Sequence, residues 1–517
     1  MVQHGLTRRE MLGRGLAVMG AGGLALGGVT GSAWPGDKAA AATLPAFPAA
    51  PDASSGVRHF VSRPDLTPPD MTVTHHGRAG TSTAGDPPYF VLTPSPGPGA
   101  HGPGTPGLMI MDRAGGLVWY SPNSQGTERL DLKVQSYQGK PVLTWWEGQV
   151  LAGYGKGHVV IADSSYHPIA TVHAGHGLAA DLHEILISPQ DTALITVYKP
   201  VAANLSRLGG PAKGVVLSGA VQEIDIPSGR VLFEWSSIDH VPVTDTVASF
   251  TGGTAKVPFD YFHINSISIA PDGTLLISAR NTSTVYKISR PSGKVIWRLG
   301  GRRSSFRMGP GTTFWFQHHA LPQGANTLSI FDDGGAPPKE PQSRGILVNL
   351  NTSTMRATLQ RSYTHPTTRL LAAFEGSMQV LPGGRVLIGW GNLPYFSEFT
   401  ANGTLILDGQ FPAGDQSYRV LSAAWTGQPA GQPAVAARAS RGGSSVVYAS
   451  WNGATQVSSW TVLAGSSPNK LAQAASKGRH GFETAITVNN QGPYFAVTAN
   501  AASGQTLGQS PTVLLAK

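Results

Sequence analysis

Short apolar segments alternate with polar turns through most of the chain. The recurring unit is an apolar segment of strand length, a polar turn, and a second apolar segment ending near Trp or another large residue. Six copies, spaced 50 to 64 residues apart, start at Leu108, His158, Ala220, Thr284, Gly345 and Tyr395. A further strand-length segment precedes each copy, and several of these open on Pro/Gly/Asp turns such as Pro271-Asp272-Gly273. This pattern predicts consecutive antiparallel hairpins.

Six repeats of three to four short strands predict an all-β fold with a six-bladed β-propeller over residues 88–421. A single blade cannot bury both of its faces, and stacking on its neighbours does so. Two stacked sandwiches would not explain six copies. After about Gln410 the pattern changes. Residues 422–517 are predicted to form an Ala/Pro/Gly-rich linker and a small fibronectin-III/Ig-like β-sandwich.

The N-terminal segment has the features of an export signal. Arg8 and Arg9 form a twin-arginine pair, a Gly/Ala/Leu/Val stretch from about Leu16 to Val29 follows, and Ala39 to Ala42 supply small residues for cleavage. The apolar stretch is too short for a good membrane span. We therefore predict a signal peptide over 1–42, a Pro/Ser/Gly-rich lead-in over 43–87, and export by the twin-arginine machinery. The destination would be the periplasm, the cell wall or the outside.

Composition narrows the class of site. The chain has no cysteine, which excludes disulfides, thiolate metal ligands and cysteine nucleophiles. Its formal net charge is +9, but it has no Lys/Arg-rich run, so we predict no nucleic-acid partner. A basic balance of this kind also suits a channel that attracts small anions.

Three histidines occupy equivalent places in the repeat. His183, His263 and His318 each precede a turn proline, at distances of 6, 8 and 4 residues (Pro189, Pro271 and Pro322). All three distances are even, so unbroken strands would put the three side chains on the same side. A bulge in any of these strands would break this parity. The inner strands of a propeller surround a central channel, and the three histidines are predicted to converge at its mouth.

An arginine and two carboxylates are predicted to join them. Folding back the hairpin at Pro271-Asp272-Gly273 sets Arg280 beside His263, and the next hairpin brings Asp332 and Asp333 near His318. A guanidinium fork suits tetrahedral oxyanions. A carboxylate can fix the tautomer of an imidazole. Three neutral histidines also suit zinc, but we find neither HExxH nor His-x-His and predict no metal and no cofactor.

Several segments together resemble the arylsulfotransferase family. They are DLHE, DYFHINSI, LLISARNTS, VIWRLGG, FQHHA with FDDGG, and GSMQVLPGGRVLIGWG, within roughly Pro88 to Gln410. The resemblance implies a six-bladed propeller that transfers sulfate between phenols without a nucleotide donor, through a sulfated histidine. It aligns the nucleophile with His318 and further catalytic positions with His183, His263 and Arg280.

Polar neighbours in these motifs are assigned to substrate binding: Asn265, Asn281, Gln317 and Asp332. The chain departs from the family pattern in three places. Asn281 and His319 stand where many relatives carry His and Asp, and FDDG replaces FDNG.

The sequence thus predicts an exported sulfotransferase acting on a small aromatic sulfate donor and a phenolic acceptor. Two alternatives stay open. One is a non-catalytic exported propeller that binds a ligand or a surface partner. The other is a metal-dependent hydrolase or lyase on the same scaffold. Six aromatic residues are candidates either for a rim that binds the aromatic substrate or for the core of the blades: Trp145, Trp146, Phe262, Phe314, Trp315 and Phe316.

Overall fold

The computed structural model describes residues 56–77, 85–97, 100–489 and 491–516. The predicted signal peptide therefore lies outside the described residues. The described chain is all-β, as predicted, and its helices are single 3-10 turns (Ser206–Leu208, Ser237–Asp239, Val243–Asp245, Arg280–Thr282, Pro382–Gly384 and Arg441–Gly443). No helix in the described ranges has the length and apolar character needed to cross a membrane.

The strands up to residue 423 carry the repeats. In chain order they are β1 (Thr72–His75), β2 (Tyr89–Pro96), β3 (Gly107–Asp112), β4 (Leu117–Pro122), β5 (Glu128–Tyr137), β6 (Lys140–Val150), β7 (Gly155–Ala162), β8 (Pro168–Val172), β9 (Ala180–Ile187), β10 (Thr192–Ala203), β11 (Gly214–Asp225), β12 (Val231–Ser236), β13 (Ile264–Ile269), β14 (Leu275–Ala279), β15 (Thr284–Ile288), β16 (Val295–Gly300), β17 (Arg307–Met308), β18 (His318–Pro322), β19 (Thr327–Asp332), β20 (Arg344–Asn351), β21 (Arg356–Tyr363), β22 (Ser377–Val380), β23 (Val386–Gly389), β24 (Tyr395–Phe399), β25 (Leu405–Gln410) and β26 (Asp415–Ala423).

Within the described residues these strands form largely antiparallel sheets in which six groups of four strands, here called units, can be distinguished. Two of the units are joined into one eight-stranded sheet by the β7–β9 pair of Gly157 and Ala180, and β1 and β17 each extend another sheet. Five are consecutive runs: β5–β8, β9–β12, β13–β16, β18–β21 and β22–β25. The sixth has the order β26-β2-β3-β4, so a late strand pairs with the first long one. The sequence pattern did not predict β26, because it lies where the repeat had ended. The lead-in also contributes a strand, since β1 pairs with β25.

The innermost strands of the six units contact one another in a ring. The order is β26, β5, β9, β13, β18 and β22, and β22 contacts β26 again. Apolar faces between units form the core, which contains large fully buried residues such as Trp146, Trp235 and Trp390. Stacked twisted sheets bury apolar area in this way on both faces.

A network of buried charges cross-links the ring from inside. Arg419 on β26 reaches across to β13, where it donates to the carbonyl of Asn265 at 3.0 Å, although β5 and β9 lie between these strands in the ring. The Nη1 of the same guanidinium donates to Asp131 of β5 at 2.8 Å and to Glu184 of β9 at 3.1 Å. Lys133 bonds the same Glu184. The interior of the ring is therefore filled by paired ions at this level.

Removing the central cation should destabilise the protein strongly. In an Arg419→Met variant, Asp131 and Glu184 stay buried with Lys133 as the one cation left between them, and removing one partner of such a buried network typically costs about 3–5 kcal/mol. The control is Arg63→Met, which breaks the exposed Arg63–Asp65 pair and should cost no more than about 1 kcal/mol. Melting temperatures of both variants measure the difference. Equal shifts would show that the buried network does not stabilise the ring.

The strands after residue 423 form two further sheets. They are β27 (Ala434–Ala439), β28 (Ser444–Ser450), β29 (Ser459–Ser467), β30 (Lys470–Gly478), β31 (Glu483–Asn489), β32 (Tyr494–Asn500), β33 (Thr506–Gln509) and β34 (Val513–Leu514). The sheets β27-β28-β31 and β30-β29-β32-β33 share one core around Trp460, and β34 pairs with β32. Part of the segment predicted as linker is thus strand, since β27 pairs with β28.

The strands beside the three histidines are not unbroken, so the prediction that period-two alternation places the three side chains on one side is wrong. Pairing registers shift beside all three residues, next to β9, at the start of β13 and along β18. His263 lies just before β13 with φ +55°, a left-handed conformation that is uncommon for a residue with a Cβ. The histidines still lie on or next to neighbouring inner strands, but bulges rather than simple alternation aim their side chains.

Candidate active site

His183 bonds a carboxylate, that of Asp181, which several hydrogen-bond donors stabilise in its ionised form. Its Nδ1 lies 2.6 Å from Oδ1 of Asp181. Asp181 also accepts hydrogen bonds from the backbone N–H groups of Gly155 and His183 and from the Thr196 hydroxyl. Burial opposes ionisation of Asp181, but His183 and these donors outweigh it and lower its pKa. A carboxylate so stabilised accepts the Nδ1 proton and leaves Nε2 as the reactive nitrogen.

His263 has the same kind of partner. Its Nδ1 bonds the carboxylate of Asp260, whose other oxygen accepts the His263 backbone N–H at 3.0 Å. The ring centroids of His263 and His183 are 4.9 Å apart and the rings meet edge to face. Burial lowers the pKa of His263, and Asp260 acts against it. The left-handed backbone of His263 stores strain, a feature that clusters at active sites.

His318 is neutral, and its tautomer follows from its two hydrogen bonds. Its Nδ1 lies 2.9 Å from Oδ2 of Asp333, and its Nε2 accepts the backbone N–H of Glu375 at 3.2 Å. An accepting Nε2 carries no proton, so the single ring proton is on Nδ1 and is donated to Asp333. Burial lowers the pKa of His318 well below its ordinary value, and Arg280 and the other two histidines add to this.

Asp333 is completely buried. Burial raises its pKa well above the ordinary value, although the positive charge of Arg280 acts in the opposite direction. Asp333 is thus the carboxylate that orients His318, as the predicted hairpin geometry allowed.

Arg280 begins the 3-10 turn that follows β14. Its backbone N–H donates to the carbonyl of His263 at 2.9 Å, so the arginine lies directly beside that histidine. Its Nη1 donates to Asn281 Oδ1 at 2.9 Å, its Nη2 donates to the Ala373 carbonyl at 2.8 Å, and the guanidinium stacks 4.8 Å from the Phe316 ring. The buried Nε has no partner among the described residues. The guanidinium therefore has an N–H that is not used by any described residue.

Two residues predicted to bind substrate are used elsewhere. Gln317 donates through Nε2 to Ser278 and to two backbone carbonyls of β14 and β15, so its amide ties strands together. Asp332 accepts from the Trp315 backbone and from Arg344 and is fully buried. Burial raises the pKa of Asp332 to about 6. Both residues thus have partners away from the histidines, while the buried Oε1 of Gln317 has none among the described residues, and their assignment to substrate contact stays a prediction.

The two asparagines have different positions. Asn281 accepts from Arg280 and donates to the Asp260 carbonyl at 2.6 Å, so it orients two members of the site. Asn265 donates to the Gln317 carbonyl at 2.7 Å, and its buried Oδ1 has no partner among the described residues. His319 accepts the backbone N–H of Met378 at 3.2 Å, which supports a structural role.

Several residues of this cluster were not predicted. Asp181 and Asp260 are signalled in the sequence only by their closeness to histidine, in Asp-x-His and Asp-x-x-His. The ring of Tyr198 lies 5.9 Å from those of both His183 and His263. Of the six aromatic candidates, Trp145, Trp146, Phe262 and Phe314 are core, Trp315 packs beneath Lys339, and Phe316 supports Arg280.

The described residues contain no group of three or more His, Asp and Glu side chains arranged to hold a metal ion. The arrangement offers instead a neutral, oriented imidazole, a guanidinium and two further imidazoles with bonded carboxylates. Such a set can bind an oxyanion and supply both a nucleophile and a proton donor.

Comparison with protein families gives one match. The model of the family described as "Arylsulfotransferase (ASST)" matches residues 133–412, more than half of the chain. The chain belongs to the arylsulfotransferase family. The predicted resemblance is thereby confirmed, and membership of this family supports aryl sulfotransferase activity in general, with aryl sulfate donors and phenol acceptors.

Other comparisons are distant. No curated protein matches the chain significantly. Solved structures similar to it include a Bacteroides caccae protein of unknown function, with 12% identity, TM-score 0.39, and coverage of 65% of this chain and 98% of that one. A catalytically inactive virginiamycin B lyase from Staphylococcus aureus has 9% identity and TM-score 0.34, covering 74% and 96%. A Lactobacillus plantarum protein has 11% identity and TM-score 0.34, covering 78% and 100%. These scores carry no argument about function.

Proposed function

We propose that this arylsulfotransferase family member is an exported enzyme that moves a sulfuryl group from an aryl sulfate to a phenol through a sulfohistidine at His318. The observation that carries the proposal is the tautomer of His318. Asp333 accepts a hydrogen bond from its Nδ1–H, so a buried neutral ring has its lone pair on Nε2. A nucleophile activated in this way is characteristic of covalent catalysis.

The proposed architecture is a six-bladed propeller with a fibronectin-III-like module at its C-terminal end. The closed ring of six innermost strands supports the first part. The two sheets that share a core around Trp460 support the second. Export by the twin-arginine route, with residues 1–42 as the signal, rests on the Arg8-Arg9 pattern.

In the first half-reaction Nε2 of His318 attacks sulfur. The N–S bond forms as the S–O bond to the aryl group breaks, and the electron pair leaves on the phenolate oxygen. His183 or His263 enters the step as an imidazolium, keeps its Nδ1–H on its aspartate, and gives its Nε2 proton to this oxygen. Arg280 donates to the sulfuryl oxygens, and Asp333 stabilises the positive charge that develops on the imidazole.

The second half-reaction reverses these roles. An acceptor phenol loses its proton to the histidine that had donated one, and its oxygen attacks sulfur as the N–S bond breaks. His318 returns to its neutral form, so no cofactor is consumed. The two steps balance with one aryl sulfate and one phenol as the only reactants.

The decisive experiment supplies a donor without an acceptor. Purified protein is mixed with p-nitrophenyl sulfate, nitrophenol release is followed, and the peptides are analysed by mass spectrometry. A gain of one SO₃ group, about 80 Da, on the peptide containing His318 with a stoichiometric burst of nitrophenol is expected. No adduct and no nitrophenol with a panel of aryl sulfates would overturn the proposal and favour the ligand-binding alternative.

Replacing the guanidinium group of Arg280 by an amine should slow the reaction sharply. Arg280→Lys keeps a positive charge but cannot donate two parallel hydrogen bonds to a sulfuryl group. We expect kcat/KM for p-nitrophenyl sulfate to fall by about 10²- to 10³-fold, the usual effect of losing one donor to a developing charge.

The control for this change is Arg344→Lys. Arg344 is also paired with a buried carboxylate, Asp332, but it contacts none of the three histidines. Its replacement should lower the melting temperature more than the rate. Equal losses of kcat/KM in the two variants would show that Arg280 acts only through stability.

A further inference from the structure

One short segment bonds two of the groups that the proposed reaction needs. The carbonyl of Ala373 accepts from Arg280 Nη2 at 2.8 Å, and the backbone N–H of Glu375, two residues later, donates to His318 Nε2 at 3.2 Å. The segment lies between β21 and β22. A peptide carbonyl and a peptide N–H thus occupy one arm of the fork and the lone pair of the nucleophile.

These contacts are incompatible with sulfuryl transfer. An Nε2 that accepts a hydrogen bond has its lone pair directed at the donor, so it cannot attack sulfur along the same direction. A sulfuryl oxygen bound to Arg280 Nη2 would need the position now taken by the Ala373 oxygen. His318 is only 1% exposed and Arg280 8%, whereas Ala373, Phe374 and Glu375 are half-buried. The segment therefore covers the site.

We propose that residues 373–375 are a lid that occupies the sulfuryl position in this state and must withdraw before a donor can react. This inference rests on the proposed function. The lid does not merely shield the site from water: its backbone satisfies Arg280 and His318 in the absence of substrate, and the sulfuryl group replaces those bonds. Buried polar groups that would otherwise lack partners give such a closed state its stability.

The anchors of the segment support a hinge at each end. Ala372 donates its N–H to the Ser343 hydroxyl at 2.7 Å, and Gly376 donates to the Tyr418 carbonyl at 3.1 Å, so both flanks are fixed. At the second anchor the backbone is left-handed, with φ +67° at Glu375 and φ +102° at Gly376. A left-handed residue with a Cβ stores strain that movement can release.

A side-chain contact outside the catalytic groups holds the lid down. Asn392 accepts the backbone N–H of Ala373 through Oδ1 at 2.8 Å. Loss of one such hydrogen bond shifts a local equilibrium by about fivefold. Asn392→Ala should therefore favour the open lid without touching the chemistry, and Asn392→Asp keeps the accepting oxygen.

The test is the pre-steady-state rate of nitrophenol or phenol release in the absence of acceptor. With a lid, this rate saturates with donor at a plateau that is the same for p-nitrophenyl sulfate and for phenyl sulfate, a poorer leaving group, because opening limits both. Asn392→Ala should raise the plateau about fivefold. Asn392→Asp, and Asn351→Ala at a surface turn, should keep the wild-type plateau.

The outcomes separate the lid from the function it serves. Adduct formation whose limiting rate follows the leaving group, and which Asn392→Ala leaves unchanged, overturns the lid and leaves the sulfohistidine intact. Absence of an adduct with every donor overturns the proposed function and the lid with it. Melting temperatures of the variants show whether they are folded. A change of plateau that arises from misfolding would appear in Asn392→Asp as well as in Asn392→Ala.

Discussion

Replacing His318 by Asn is expected to abolish both the sulfuryl adduct and the turnover of aryl sulfates. The Asn side chain has no basic nitrogen, so no N–S bond can form. In the proposed reaction the other two histidines do not replace it, because one of them supplies the proton to the leaving oxygen while its Nδ1 stays bonded to its own aspartate. Nitrophenol release and peptide mass measure the loss.

The matched control is His365→Asn. His365 is also a buried histidine bonded to an aspartate, Asp408, but it belongs to a different part of the fold. It should form the adduct at the rate of the unmodified protein. Full activity in the His318 variant would refute the assignment of the nucleophile, whatever the control shows.

Asp333→Asn should slow adduct formation almost as severely, by up to about 10⁴-fold. The carboxylate accepts the Nδ1 proton of His318. An amide NH₂ in its place would donate to Nδ1, which forces the ring proton onto Nε2 and removes the lone pair that attacks sulfur. The structure would be preserved while the tautomer is wrong.

Asp332→Asn is the neighbouring control, since Asp332 bonds Arg344 and the Trp315 backbone rather than a histidine. It should affect stability more than rate. The acid limb of the pH profile should persist in Asp332→Asn, which removes the neighbouring carboxyl group, whose pKa burial also raises. Because burial raises the pKa of Asp333, activity should be present above that pKa and lost as the pH falls through it, at a pH above about 4, the ordinary range for Asp. An acid limb at or below the ordinary value would contradict this role.

A reacting sulfuryl group would have to replace the hydrogen bonds that the proposed lid makes to Arg280 and His318. Most of the polar groups that the reaction requires are paired within the protein, although the Nε of Arg280 has no partner among the described residues. Arg280 and His318 are paired through backbone atoms of one segment, which can leave, whereas Asp181, Asp260 and Asp333 are paired with the rings they orient. The first kind of partner is exchangeable and the second is permanent.

Much of this architecture was predictable, because it is local. Period-two alternation and hairpin turns predicted the three outer strands of each of the six units, and family membership followed from a few ordered motifs. Folding back one hairpin set Arg280 beside His263, and the observed backbone bond between them has that register. Pairs joined by a short turn leave little choice of partner, so sequence distance alone determines them.

The tertiary structure decided what depends on distant strands. The pairing of β26 with β2 joins residues more than 300 positions apart and left no trace in the repeat pattern. Bulges aimed the three histidines where simple parity would have failed. Gln317 and Asp332, both adjacent to predicted catalytic residues, turned out to be paired with other strands.

The sequence by itself therefore determined the all-β fold, the repeat, the family and the set of histidines and arginine that the structure brings together. Only the tertiary structure decided which carboxylate orients each ring, how Arg419 fills the interior of the ring, and that a backbone segment bonds His318. The physical reason is that alternation and turns are fixed by neighbours along the chain. The direction of a buried polar side chain is fixed instead by whichever partner satisfies it, and that partner can come from any strand of the ring.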